Sequence, residues 1–458
     1  MATIFIWRFF DMYETVKVDL SRKIGKMKPM HAVNNGPVYK FASDQRITNI
    51  QYFREAGIPY ARTHDASFYA TYGGEHTVDI TAIFPNFDAD PYDPASYDFQ
   101  LTDEYMRVML HAGVEPFYRL GQKIEHWSKK YGTIPPKDFK KWAVICEHLI
   151  KHLNYGWADG YEMGIKYWEI WNEADLDPDD STHKRCWGGT KAEFFEFYHI
   201  AATHLKEKFP ELKIGGPAIA GKMDWAEDFL AQLKAPLDFF SWHRYAGNTE
   251  KIALRMVEVR ELLDKYGFTE TESILNEWNY VKGWVDDDWV YTLRAEKGMK
   301  GAAFIASVMC DGQKRPLDML MYYDARPCGM NGMFNTDRVC EVLKGYYPFK
   351  AFGTLYRLGT EVYSESEGDL HVCAARDGDK KAVMVSRFSS ETEAPVADKR
   401  VKIEIAGGEG ELVKVYRLDE AHDLELVREE IFGGETFRTV FDFPADSLYL
   451  LEIEKTEI

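Results

Sequence analysis

Trp168-Glu169-Ile170-Trp171-Asn172-Glu173 and Ile274-Leu275-Asn276-Glu277-Trp278-Asn279 are the two strings that decide the fold of this chain. Each is a short apolar run closing on an acid, the pattern of a buried strand whose end reaches a functional face. The acids Glu173 and Glu277 lie 104 positions apart. That leaves room for about three strand–helix units of roughly 30 residues each. Acids closing the fourth and seventh strands of a closed barrel converge on its C-terminal face.

Apolar runs of strand length recur on both sides of these strings. The predicted strands are Met30–Asn34, Pro59–His64, Glu115–Leu120, Lys166–Trp171, Lys213–Pro217, Asp238–Trp242, Ser273–Asn276 and Met319–Tyr323. Amphipathic helices fall between them. Phe139, Trp142, Cys146, Leu149, Ile150 and Leu153 recur at helical spacing behind Pro135-Pro136. A second helix opens on a capping box, Thr190 to Glu193, before Phe194 and Phe195. Eight strand–helix units predict a (β/α)8 TIM barrel over residues 25–353. A doubly wound open sheet is the competing fold, but no glycine-rich phosphate loop follows the first strand.

Past Gly353 the texture changes. Val362–Tyr363, His371–Ala374, Ala382–Ser386, Val401–Ile405, Val413–Tyr416, Thr436–Phe441 and Ser447–Ile453 are short runs punctuated by Gly, Asp and Glu. They predict an accessory antiparallel β-sandwich over 354–458. Val16, Val18 and Leu20 alternate with polar residues, so 1–24 is expected to join that sandwich, with the barrel inserted into it. Ala2 to Phe10 is apolar but short, with Arg8 inside it and Asp11 beyond. Without a basic leader or a small-residue cleavage site, it reads as a strand rather than a signal peptide.

Composition narrows the function classes. The chain has 458 residues, 45% apolar and 15% aromatic, enough for a large core and for rings that stack on sugar faces. A net charge of −18 disfavours nucleic acid and anionic membranes as partners. No apolar run approaches the ~18 residues of a membrane span. Cys146, Cys186, Cys310, Cys328, Cys340 and Cys373 are scattered without a C-x-x-C pair, which argues against disulfides and structural zinc. A cytoplasmic setting fits these features, and a homo-oligomer stays open. Asp175, Asp177 and Asp179 imitate the start of a calcium loop, but Asp180 and Cys186 stand where Gly and Glu are required. Asp286-Asp287-Asp288 reads as a solvated loop. No His-x-His or His-Glu-x-x-His motif points to a metal, and no cofactor is expected.

Two convergent carboxylates suit glycoside cleavage. One protonates the leaving oxygen and the other meets the oxocarbenium-like centre. Glu173 is the expected acid and later base, and Glu277 the expected nucleophile. Like-charge repulsion and burial keep one of the pair neutral. Asn172 is expected to donate to the sugar 2-hydroxyl, Arg62 to favour ionised Glu277, and Tyr245 to hydrogen-bond the same carboxylate. His31, His64, His243, Trp127, Trp187, Trp278 and Tyr323 are the further candidate sugar contacts. Glu169, deeper in the same strand as Glu173, reads as a buried, paired acid.

These residues carry a resemblance. Lys28-Pro29-Met30-His31, Asn34-Asn35-Gly36, Arg62-Thr63-His64-Asp65, Ile83-Phe84-Pro85-Asn86-Phe87-Asp88, Trp171-Asn172-Glu173, Trp187-Gly188-Gly189-Thr190, Trp242-His243-Arg244-Tyr245 and Asn276-Glu277-Trp278-Asn279 resemble glycoside hydrolase family 39, of clan A. The likeness covers nearly the whole chain. The family includes β-xylosidases and α-L-iduronidases, so it implies a retaining exo-glycosidase, with β-D-xylosides of short oligosaccharides as the first expectation. Alternatives are the same machinery on an α-L-arabinoside, a β-galactoside or a uronide, or a catalytically silent carbohydrate-binding barrel. The chain departs from the family twice: Ala174 follows Asn172-Glu173 where Pro is frequent, and Met321-Tyr322-Tyr323-Asp324 lacks the Trp common on the eighth strand.

Overall fold

The computed structural model describes residues 13–39, 48–65, 76–338, 341–408 and 410–455. The segment 2–10, predicted as a strand, lies outside them. The chain divides into two compact units: Lys28–Arg357, and the leading segment up to Met27 together with everything from Leu358 onward. β1 is Glu14–Lys26. The next eight strands are β2 (Ala32–Asn34), β3 (Tyr60–Thr63), β4 (Glu115–Leu120), β5 (Tyr167–Ile170), β6 (Lys213–Ile219), β7 (Phe239–Ala246), β8 (Glu272–Tyr280) and β9 (Met319–Tyr322). The last eight are β10 (Thr360–Ser366), β11 (Leu370–Asp377), β12 (Lys380–Arg387), β13 (Lys399–Ala406), β14 (Glu411–Leu418), β15 (Asp423–Ile431), β16 (Thr436–Phe443) and β17 (Ser447–Lys455).

β2 to β9 close into a barrel in sequence order, all parallel, with Ala32 paired to Met321 at the seam. The predicted (β/α)8 barrel is therefore the observed one. Its helices start where the sequence signals them. Asp138 caps Phe139–Tyr155 through Lys141 N (3.0 Å), and Gly156, at φ 71°, ends that helix in a conformation glycine adopts without strain. Thr190 and Glu193 form the capping box of Lys191–Lys208. Trp142, Cys146, Leu149, Ile150 and Leu153 are buried on one stripe. Asp286, Asp287 and Asp288 form the first turn of the helix Asp286–Ala295 rather than a loop. Acids there meet the positive end of the helix dipole.

Period-two alternation sorts the barrel interior into layers. Ala32, Phe117, Phe239, Ile274 and Met319 form an apolar plug with Tyr60 and Tyr167 packed on it. Two residues further along their strands stand Asn34, Arg62, Glu169 and Asn276, all fully buried. The apolar layer thus gives way to a polar one on the side where the strands end.

The other unit is a nine-stranded sheet in the order β15-β14-β17-β12-β11-β10-β1-β13-β16. β1 pairs with β10 and β13, and Val16, Val18 and Leu20 enter the core, so the barrel unit is inserted after the first strand of this sheet. The β1–β13 pair is parallel, a departure from the predicted antiparallel pattern. The sheet folds over on itself. Arg428 of edge strand β15 lies 4.4 Å from the Phe441 ring and bonds Thr439 Oγ1 (2.7 Å), both on the opposite edge strand β16. Phe441 also packs on Tyr449 of β17 at 4.8 Å. That closure makes the predicted sandwich. No helix of the described residues is long and apolar enough to cross a membrane.

Candidate active site

The polar layer is organised by one buried arginine. Arg62 Nε donates to Glu169 Oε2 (2.6 Å), Nη1 to Glu277 Oε1 (2.7 Å) and Asn34 Oδ1 (3.1 Å), and Nη2 to Asn172 Oδ1 (2.7 Å). The guanidinium fork fixes a deep acid, a shallow acid and two amides at once. Asn276 Nδ2 supplies a second donor to Glu169. Because arginine only donates, Asn172 must present Oδ1 to Arg62, which turns its Nδ2 toward the cleft.

Glu277 reaches the cleft through an irregularity in β8. Trp242 pairs with Leu275 but His243 pairs with Glu277, so Asn276 is the extra residue of a bulge. Asn276 and Glu277 both turn inward as a result, and Trp278 turns outward. Glu277 Oε2 accepts from Tyr245 OH (2.9 Å), while Oε1, besides Arg62, has His64 Nε2 at 3.5 Å. Glu173 follows β5 on a backbone with φ 50°, after Trp171 at φ 72°. Both are left-handed values rarely adopted by such side chains, a conformation that clusters at functional sites. Glu173 N donates to Ala218 O (2.8 Å) of the neighbouring strand.

His243 joins the two acids. Its Nδ1 lies 2.8 Å from Glu173 Oε1 and 3.4 Å from Glu277 Oε2. One ligand atom from each of Glu173, His243 and Glu277 lies within 4.8 Å of the others. Burial lowers the His243 pKa to about 4, so the ring is neutral near neutrality. A nitrogen lone pair facing Glu277 would be repelled, so Nδ1 carries the hydrogen and donates to Glu173 Oε1. Burial pushes the Glu173 carboxyl above the usual range, against the pull of His64, Arg62 and Arg185. A raised carboxyl held at Oε1 by His243 leaves Oε2 to carry an acidic proton. The trio also has the spacing of a three-ligand metal set, but both Glu277 oxygens already accept, from Arg62 and Tyr245, and Glu173 Oε1 accepts from His243.

These groups line a cleft of about 540 Å³, with His64, Asn172, Glu173, Tyr245, Glu277 and Tyr323 on its wall. Arg62 takes the role expected of it on Glu277, and five residues predicted as sugar contacts are placed differently. Arg62 is fully buried beneath the cleft and acts on Glu277 and Asn172. His243 is likewise taken up by the two acids. His31 precedes β2, bonds Gly57 O (2.9 Å) and packs on Phe352 and Tyr356, far down the barrel wall. Trp187 is buried among Trp171, Phe194 and Phe197 at ring distances of 5.1–5.2 Å. Trp278 faces outward onto Tyr322 (5.5 Å) and Phe304 (6.3 Å). Trp127 is 79% exposed and its neighbour His126, not Trp127, lines the cleft.

The cleft also holds residues that sequence reasoning missed: Ile124, Leu176, Arg185, Arg244 and Trp284. Trp284 stands edge-on to Tyr245 (5.2 Å) and stacks on Trp289 (5.4 Å). Its place in an aromatic pair beyond β8 was the available signal. The acids of the false calcium loop are separately used. Asp175 accepts from Ala220 N and Lys222 N, Asp177 pairs with Arg185, and Asp179 accepts from Lys191 N.

Comparison with known proteins gives the family. The chain is 26% identical over 406 residues, 80% of its own length and 76% of the relative's, to a protein described as a beta-xylosidase from Caldicellulosiruptor saccharolyticus. Among solved structures it is similar to a glucosidase from Croceicoccus marinus, with a TM-score of 0.77 and 21% identity over 98% of this chain and 100% of that one. A monomeric beta-xylosidase from Caulobacter crescentus gives a TM-score of 0.71 at 18% identity, covering 97% and 100%. At these identities the structural likeness is one of fold. The model of the family described as glycosyl hydrolases family 39 matches residues 16–322, a span that holds both candidate acids. The chain is a glycosidase and belongs to glycosyl hydrolases family 39.

Proposed function

We propose that this glycosidase is a retaining, exo-acting β-D-xylosidase that works on short xylo-oligosaccharides by double displacement. The observation that carries the mechanism is the approach of Glu173 and Glu277 oxygens to within 4.8 Å. Retaining glycosidases hold their carboxyl groups at roughly 5–5.5 Å, too close for an intervening water. The choice of xyloside is supported by the beta-xylosidase relative, which aligns with four-fifths of the chain.

In the first step a Glu277 oxygen attacks the anomeric carbon as the glycosidic bond breaks, and Glu173 gives its proton to the leaving oxygen. The product is a glycosyl ester on Glu277. In the second step Glu173, now ionised, takes a proton from water, which attacks the same carbon and frees Glu277. Arg62 and Tyr245 hold the Glu277 carboxylate before attack and after release. The Asn172 amide is aimed where the 2-hydroxyl charge develops, a contact that strengthens in the transition state.

A panel of nitrophenyl glycosides tests the reading. The β-D-xyloside should be cut with the highest kcat/KM. A higher value for the α-L-arabinoside, β-galactoside or a uronide would move the glycone assignment, and no turnover of any would leave a binding barrel.

A further inference from the structure

Three arginines stand at or beneath the cleft, and their charges are compensated differently. Arg62 serves Glu169 and Glu277. Arg185 makes a two-pronged pair with Asp177, Nη2 to Oδ1 at 2.6 Å and Nε to Oδ2 at 3.1 Å. Arg244 also lines the cleft, yet no carboxylate is bonded to it among the described residues, and its buried Nε has no partner. The charged groups that act on it are Arg255, which repels it, and Glu258. Glu258 is already bonded to Arg255 Nε at 2.7 Å. A half-buried guanidinium with no protein anion, open to a substrate cleft, is a fork waiting for a planar anion.

Its position says which part of the substrate it meets. Arg244 lies near the end of β7, paired with Trp278 of β8 on one side and flanked on the other by the segment that follows β6, whose Ile219 pairs with Trp242. Ala220 N and Lys222 N of that segment donate to Asp175, two residues past Glu173, at 2.7 and 3.1 Å. Ala220 and Leu176 line the same cleft. This is the side of the proton donor. The donor must face the glycosidic oxygen, and the nucleophile attacks from the opposite face, so the leaving group lies on the Glu173 side.

We propose that Arg244 determines leaving-group specificity, holding a carboxylate on the aglycone so that acidic aglycones are preferred to their neutral counterparts. The inference rests on the glycosidase reading above. The carboxylate belongs to a ring bonded through the scissile oxygen, whether a uronic acid residue or an aromatic acid.

The test compares matched substrates with the best-cleaved glycone. One pair is a carboxyphenyl glycoside and its methyl ester. The other is a disaccharide ending in a uronic acid and the same disaccharide ending in the neutral sugar. The ratio of kcat/KM, acid over neutral, is measured for the unmodified enzyme, Arg244→Gln and Arg244→Lys. Intrinsic leaving-group reactivity cancels between enzymes. The ratio should fall by about tenfold or more in Arg244→Gln, the scale of a charge-assisted hydrogen bond, and by less in Arg244→Lys. In the unmodified enzyme it should also shrink as salt rises. The pair with the larger fall identifies the source of the carboxylate. A ratio unchanged by Arg244→Gln in both pairs overturns the inference while leaving the glycosidase intact. Failure to cut even the neutral aryl glycosides overturns the reading beneath it as well.

Discussion

Glu173 and Glu277, 104 residues apart in the chain, bring carboxylate oxygens to within 4.8 Å of each other. The sugar released first should therefore keep the anomeric configuration of the substrate. Proton NMR recorded before mutarotation reads this directly. An inverted first product would make Glu277 a base for water, the role that belongs to acids roughly 6.5–9.5 Å apart.

The roles of the two acids should separate on mutation. Glu277→Ala should lose turnover of every substrate, and added azide should return a product of inverted configuration. Glu173→Ala should lose about 10²–10⁴ in kcat on poor leaving groups, the range of general acid catalysis. It should lose far less in the first step on activated aryl glycosides, which need no proton. Normal cleavage of an activated substrate by Glu277→Ala would remove the nucleophile assignment.

The barrel was legible because parallel strands are buried on both faces and read as unbroken apolar runs. Glu173 and Glu277 were legible because each closes such a run. What the sequence concealed is mostly direction. A one-residue bulge at Asn276 sends Glu277 inward and Trp278 outward, and nothing in the string announces it. Trp187 follows the fourth barrel strand, as a cleft residue would, but the capped helix beside it offers Phe194 and Phe197, and the indole packs there instead. Strand β15 escaped prediction because an edge strand needs no buried face. Leu426, Val427 and Ile431 are exposed, so its alternation is weak. Arg244 was legible only as one letter of Trp242-His243-Arg244-Tyr245, since its meaning lies in having no bonded carboxylate among the described residues, which a string does not show.

Arg62 should prove as important to folding as to turnover. It is fully buried and bonds Glu169, Glu277, Asn34 and Asn172. Arg62→Met would leave two buried acids without their cation, a loss of about 3–5 kcal/mol. Arg62→Lys offers a point charge where a planar fork is needed and should recover only part. Urea unfolding measures both. A Met variant within about 0.5 kcal/mol of the parent would show that the acids find other partners.

One buried acid with a distinctive environment lies outside the cleft. Glu296 is fully buried between the helices Asp286–Ala295 and Met299–Lys314, and neither carboxylate oxygen has a hydrogen-bond partner among the described residues. Burial raises its pKa from 4.5 to about 8, against the pull of Lys297 and with a smaller push from Asp324. Near neutrality the folded protein keeps this proton and the unfolded chain does not. The unfolded state thus binds fewer protons between about pH 4.5 and 8, and stability falls as the pH rises through that window. Below it both states are protonated, and above it both are ionised, so the slope vanishes at each end. Glu296→Gln keeps the neutral shape and has nothing to ionise. Its advantage over the parent should be smallest near pH 4.5, grow by up to about 1.4 kcal/mol per pH unit, and level off above pH 8. Urea midpoints at pH 5, 6, 7 and 8.5 measure the difference. A difference that stays constant across those four values would show that folding does not raise the Glu296 pKa.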